Sequence, residues 1–278
     1  MQRTGFSACA LAFALSMSGL GTCAAQGTAA PAADDVDARI AALPPGPDTE
    51  AIKLGRKITM ETPQFAAGHV PGGAMSCASC HIGGGTTPLS SPWIGMTGVS
   101  PAYSARSATV ESLAQRINNC FQRSENGIPL AFDSREMNAL LAYMTYLSRG
   151  IPGGQFGPGR GMGKIADAAL VPDPVHGRAI YADKCASCHG ANGEGVHSGG
   201  SYAIPPLWGD ASYNIGASMA RLGPAAGFIK NNMPLGNATL SDQDAVDVAA
   251  YVTQQPRPDY AAKVKDWPKG GRPADARY

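Results

Sequence analysis

The chain carries two five-residue motifs able to do redox chemistry, Cys77-Ala78-Ser79-Cys80-His81 and Cys185-Ala186-Ser187-Cys188-His189. Cysteines three apart present both sulfurs on one turn to the two vinyl groups of a haem, and the histidine that follows reaches the iron as proximal ligand. A zinc site built from the two cysteine pairs, or a thioredoxin-like dithiol, would leave His81 and His189 without a role. The motifs therefore predict two covalently bound haem c groups.

Each haem iron has a sixth position. Met233, followed by Pro234 ahead of the last predicted helix, sits where small c-type cytochromes place a distal methionine; Met219 is the alternative. The two motifs lie 108 residues apart, and Cys120 follows Cys77 by 43 positions much as Met233 follows Cys185 by 48. Of seven cysteines, four belong to the motifs and Cys9 and Cys23 fall in the leader, so Cys120 is the odd one. It is expected at the first iron; otherwise it is a buried free thiol, with Met96 or another methionine as ligand. A thiolate stabilises ferric iron whereas a thioether raises the potential, so electrons should run from the first haem to the second.

Arg116 and Ser124 lie four residues before and after Cys120 and share its face if the helix continues, with Arg106 and Arg123 close in sequence. Guanidinium forks suit oxyanions, although one or two of these arginines could instead neutralise haem propionates. A sulfur ligand among arginines invites a small anionic sulfur compound. The charge is local: 22 Lys and Arg against 21 Asp and Glu leave +1, no global field for nucleic acid or an anionic membrane. His69, His176 and His197 are scattered and suggest no further metal site.

The elements that must hold these residues follow from periodicity and caps. Residues 1–25 read as a secretory signal, cleaved near residue 25, which places the mature protein in the periplasm; Thr22 before Cys23 fits a lipoprotein cleavage site poorly, so lipidation is not expected. No segment has the roughly 20 consecutive apolar residues of a membrane span. Residues 26–47 read as a linker or loosely packed arm. A first domain spans 48–149, with a helix capped by Asp48 or Thr49 and carrying Ile52, Gly55 and Ile58 on one face. Val110, Leu113, Ile117 and Phe121 recur at helical spacing, and a closing helix is capped by Asp133 or Ser134. Residues 150–172, rich in Gly and Pro, read as a connection. A second domain, 173–256, repeats the plan, its last helix capped by Ser241 with Asp244 in a capping box; residues 257–278 read as a tail packed over the domains. With Gly 35, Pro 22 and only 7% aromatics, short helices joined by loops around prosthetic groups are expected.

The chain resembles the dihaem cytochrome c thiosulfate dehydrogenases that form tetrathionate. The resemblance rests on Pro92-Trp-Ile-Gly95, Arg106-Ser107, Arg116 through Gly127, Pro205 through Gly209, and Phe228 through Pro234. It extends through Asp247–Val252, Gln255–Pro258 and Lys265–Pro268. It implies an all-α fold of two class I cytochrome c domains in tandem, each with one covalently attached haem. The implied ligands are His81 and Cys120 on the first iron, His189 and Met233 on the second. It implies Cys120 as catalytic residue, with Arg106, Arg116 and Ser124 holding thiosulfate. Some members carry a lysine just before the distal methionine; here that position is Asn232, with Lys230 two residues farther off. The implied acceptor is a soluble cytochrome c, a high-potential iron-sulfur protein or a dihaem partner. A reversible couple uses the same residues both ways, so tetrathionate reduction stands as an alternative, as does a non-catalytic electron-transfer dihaem cytochrome.

Overall fold

Two pairs of helices, one in each half of the chain, cross at a glycine and set up the architecture. The computed structural model describes residues 35–70, 75–167 and 169–278, and Asp35–Tyr278 forms one unit. The expected signal sequence, Cys9, Cys23 and the start of the expected arm lie outside the described residues. The rest of that arm is not loosely packed. Asp35 caps a short helix, α1 (Val36–Ala41), whose Val36 and Ile40 are buried against Ile52, Tyr143, Tyr146 and Leu147.

Helix α2 (Pro47–Met60) starts one residue earlier than its expected caps: Pro47 takes the first position, where a missing N–H costs nothing, and Gly46 is the cap. Thr49 instead donates its hydroxyl to Pro44 O at 2.7 Å. Ile52, Gly55 and Ile58 form the buried stripe. One-turn helices α3 (Thr62–Phe65) and α4 (Ile82–Gly85) flank the first cysteine motif. A two-stranded hairpin follows, β1 (Ala102–Ser104) antiparallel to β2 (Thr109–Glu111). Val110 belongs to β2 and is exposed, not helical as its spacing predicts. The reason is the cap: Ser112 and Gln115 form a reciprocal capping box that starts α5 (Leu113–Arg123) after it. Ser134 caps α6 (Arg135–Leu147), which buries Met137, Leu140 and Leu147 against α2.

In the second half Asp173 caps α7 (Pro174–Lys184), which runs into a single turn α8 (Ala186–His189). A second hairpin, β3 (Val196–Ser198) with β4 (Ser201–Ile204), precedes α9 (Leu222–Asn232) and α10 (Asp242–Gln254); the Ser241 and Asp244 capping box is present. The crossing α2/α6 at Gly55 is repeated by α7/α10 at Gly177, where an added Cβ would lie 1.9 Å from Asp247 O. The fold is thus helical, with the two small hairpins as its only strands among the described residues. No described helix is long and apolar enough to cross a membrane.

Residues 150–172 pair with the first half rather than hanging free: Leu89 and Ser91 donate to Gly159 O and Gly161 O, each at 2.7 Å. The segment 257–278 lies on both halves, with Ile215 donating to Pro258 O at 3.0 Å and Trp267 to Arg106 O at 2.7 Å.

Candidate active site

The first cysteine motif is pinned at the end of α2. Thr62 donates its hydroxyl to Ile58 O and accepts the N–H of Cys77 at 3.1 Å, while Ser76 and Ser79 cap each other across the turn. His81 sits one turn on, its Nδ1 2.7 Å from Ser91 O. A carbonyl only accepts, so Nδ1 carries the proton and the Nε2 lone pair is left for a metal. Burial lowers the pKa of His81 despite the Ser91 contact, favouring the neutral form that ligates iron. His189 is built alike: Nδ1 is 3.0 Å from Pro205 O and burial lowers its pKa. Among the described residues no three His, Cys, Asp or Glu converge as a metal-binding group. Next to the first motif lies a cavity of about 560 Å³ walled by Met75, Trp93, Leu140 and Met144. Free thiol pairs, tautomer-fixed histidines and an apolar cavity fit covalent haem.

Cys120 lines the same cavity as Cys77, Cys80 and His81. Two neighbours fix the face α5 turns to it. Phe121 is buried, and Asn118 is clamped to Leu130 by bonds of 2.9 and 2.8 Å. Although the Cys120 side chain is accessible, the surrounding protein desolvates its thiol and raises its pKa to about 11. Glu125 pushes the same way; Arg116, Arg123 and Arg106 oppose.

All three arginines, and Ser124, line the cavity. Arg116 is exposed, and its side chain makes no hydrogen bond or ion pair with the described residues. Arg106 donates through Nη1 to Gly216 O at 2.5 Å and lies over the Trp267 ring at 5.1 Å. Arg123 is nearly buried, forked onto both oxygens of Asp266 at 2.8 Å, and stacked on Tyr260 at 4.2 Å. Ser124 closes α5, its N–H on Cys120 O at 2.8 Å.

Sequence reasoning missed several groups. Glu125 is 5% exposed and its Oε2 has no hydrogen-bond partner; burial raises its pKa to about 8, against a hydrogen bond from Cys77. Arg160 enters the cavity wall from the connecting segment, 3.5 Å from the Phe156 ring centroid. Asp266 and Trp267 lie far away in sequence, in the Lys265–Pro268 run that carries the resemblance, and no spacing gave them a role at the site.

The distal candidates divide. Met233 caps α9 and is half-buried. Met219, its alternative, lines the first cavity and packs with Met75 and Tyr213. Met96 lines that cavity too, as does Cys120. Asn232 is spent on Leu89 O and Phe228 O, both at 3.0 Å. Lys230 is held by Leu240 O at 2.7 Å and by Asp242 at 3.0 Å. The other histidines are scattered: His69 on Ile128 O, His176 on Asp247, His197 against Tyr202.

Residues 68–152 match the family described as SoxA/TsdA, cytochrome c domain, and residues 175–256 match Cytochrome c. The chain is 43% identical over 236 residues to the thiosulfate dehydrogenase of Psychrobacter arcticus, covering 83% of this chain and 72% of that protein. It is 44% identical over 224 residues to the thiosulfate dehydrogenase of Allochromatium vinosum, covering 78% and 82%. The solved structure of thiosulfate dehydrogenase (TsdBA) from Marichromatium purpuratum, in its as-isolated form, superposes with a TM-score of 0.75 at 38% identity. That match covers 78% of this chain and 48% of the other. With two tandem cytochrome c domains, each bearing one covalent haem c, the chain belongs to the thiosulfate dehydrogenase family.

Proposed function

We propose that the protein oxidises two thiosulfate ions to tetrathionate, passing the two electrons from a His81/Cys120 haem to a His189/Met233 haem and on to an acceptor in the periplasm. The observation that carries this reading is the meeting of Cys120 with Arg106, Arg116 and Ser124 in the cavity beside Cys77, Cys80 and His81. When bound, the two haems supply an electron sink of one electron each. The halves on either side of the 150–172 connection serve as the two domains, 48–149 and 173–256.

The residues divide the work. Arg106, Arg116 and Arg123 favour the thiolate of Cys120 against its burial. Arg116, with nothing else to bind, and the free edge of Arg106 receive the sulfonate of thiosulfate; Ser124 offers a hydroxyl. Cys120 Sγ joins the outer sulfur of the first thiosulfate, and the new S–S bond releases two electrons and leaves Cys–S–S–SO₃⁻. A second thiosulfate attacks the sulfane sulfur bonded to Cys120 Sγ, breaking the Sγ–S bond, expelling the Cys120 thiolate and releasing S₄O₆²⁻. Guanidinium charge offsets the repulsion between the two anions.

The test is a two-way assay on the holoprotein, thiosulfate with ferricyanide and tetrathionate with a reduced viologen, on wild type and Cys120→Gly. The variant should keep two haems and lose turnover; substantial residual activity refutes the assignment. Faster viologen oxidation than ferricyanide reduction would turn the direction round. An acceptor is expected among soluble cytochromes c, high-potential iron-sulfur proteins and dihaem partners.

A further inference from the structure

Arg106 is presented to the cavity by the far end of the chain. It leaves the loop between β1 and β2, and its carbonyl accepts the N–H of Trp267 at 2.7 Å. The guanidinium lies over the Trp267 ring at 5.1 Å, and Nη1 is spent on Gly216 O. Nε and Nη2 bond none of the described residues. Trp267 is 9% exposed and holds a φ of +54°, a conformation that a bulky residue keeps only where its surroundings demand it.

What surrounds it is an ion-pair anchor. Asp266, its predecessor, takes Arg123 on both oxygens at 2.8 Å and also accepts the Tyr278 hydroxyl. Its Oδ2 thereby accepts from both Arg123 and Tyr278, and Arg106 Nη1 stops 3.8 Å short of that same oxygen, beyond hydrogen-bond length. An arginine beside an unsaturated carboxylate would fold onto it. Here the carboxylate is already occupied, and the indole face offers a seat that uses none of the guanidinium N–H groups.

We propose that Trp267 is a positioning residue for the reaction: its ring is the shelf that aims the unspent Nε/Nη2 edge of Arg106 at the substrate anion beside Cys120. This rests on the reading of the cavity as a thiosulfate site. Trp267 touches no reacting atom; it acts through Arg106.

A double-mutant cycle tests it on the holoprotein, with Trp267→Leu, Trp267→Phe and Arg106→Lys. Loss of the shelf should raise KM for thiosulfate by roughly three- to tenfold with kcat little changed, as expected when binding rather than chemistry is weakened. Trp267→Phe keeps a ring and should stay within about threefold of wild type. In the Arg106→Lys background either Trp267 substitution should have no further effect, because the group it aims is gone. A second readout needs no turnover. Thermal-shift titration of the fully reduced, anaerobic protein with sodium thiosulfate should show the same loss of affinity and the same dependence on Arg106. Should Trp267→Leu not accumulate with two haems, Trp267→Met, which keeps bulk but has no ring, takes its place in the cycle. Effects that add in full to those of Arg106→Lys, or a fall in melting temperature with KM and thiosulfate affinity unchanged, overturn the proposal. A wild type with no thiosulfate-dependent haem reduction fails the functional reading instead, before the cycle is begun.

Discussion

Asn232 donates through Nδ2 to Leu89 O at 3.0 Å, joining the residue before Met233 to the loop that carries Ser91, whose carbonyl holds His81 Nδ1. One short run of chain therefore supports the proposed proximal histidine of the first centre and restrains the proposed distal methionine of the second. Asn232→Ala should leave both haems attached and slow reduction of the second haem by about tenfold, the usual scale for an outer-shell partner of a metal ligand. Stopped-flow absorbance, resolving the two haems, reads it.

The Arg116 side chain has no partner to lose among the described residues, so its removal isolates a functional effect. Arg116→Ala should lower kcat/KM for thiosulfate by about 10²-fold, the scale of one lost anion-stabilising donor, with melting temperature and haem content unchanged. Steady-state assays with ferricyanide and a thermal melt measure both.

Arg123 and Asp266 are a nearly buried, bidentate pair with side chains 11% and 4% exposed. Asp266→Ala leaves a buried guanidinium uncompensated and should cost about 3–5 kcal/mol of stability, whereas Arg123→Met with Asp266→Leu should lose much less. Denaturant unfolding of the holoprotein compares them.

Gly177 meets the carbonyl of Asp247 where α7 crosses α10, a Cβ there lying 1.9 Å from the oxygen. Alanine would gain about 1 kcal/mol of helix propensity but must part the helices, costing roughly 1–3 kcal/mol or more. Gly177→Ala should therefore lower the melting temperature, and Gly55→Ala, 2.1 Å from Ala139 O, should do the same.

His176 has a half-exposed side chain, but its Nδ1 lies 2.9 Å from the buried carboxylate of Asp247, whose hydrogen bond raises the histidine pKa. A raised folded-state pKa means the stabilisation is complete below the unfolded value of about 6.5 and fades as pH rises through the folded value. The urea midpoint of wild type should exceed that of His176→Gln most near pH 5.5, and the gap should shrink towards about pH 8.5. A gap that widens with pH contradicts the pairing.

Much of this was legible in local pattern. The two haem motifs, the caps at Ser134 and Ser241, the buried stripe Ile52–Gly55–Ile58 and the helical setting of Cys120 each depend on residues within a few positions of one another. The misreadings arose where a local pattern competed with a stronger signal. Val110 matched a helical period, but the capping box at Ser112 began the helix after it. The stretch before Asp48 looked like a linker, yet two apolar residues, Val36 and Ile40, sufficed to dock a short helix on α2 and α6.

By itself the sequence determined that two haems are attached, that Cys120 is unpaired and that arginines stand near it, because covalent attachment and helical spacing are short-range. Only the tertiary structure decided which arginine is free. Arg106, Arg116 and Arg123 look alike in the sequence, but Asp266 neutralises one and Trp267 seats another, leaving the Arg116 side chain without a partner among the described residues. Those choices are made across more than a hundred residues of chain, where no periodicity reaches and burial selects the partner.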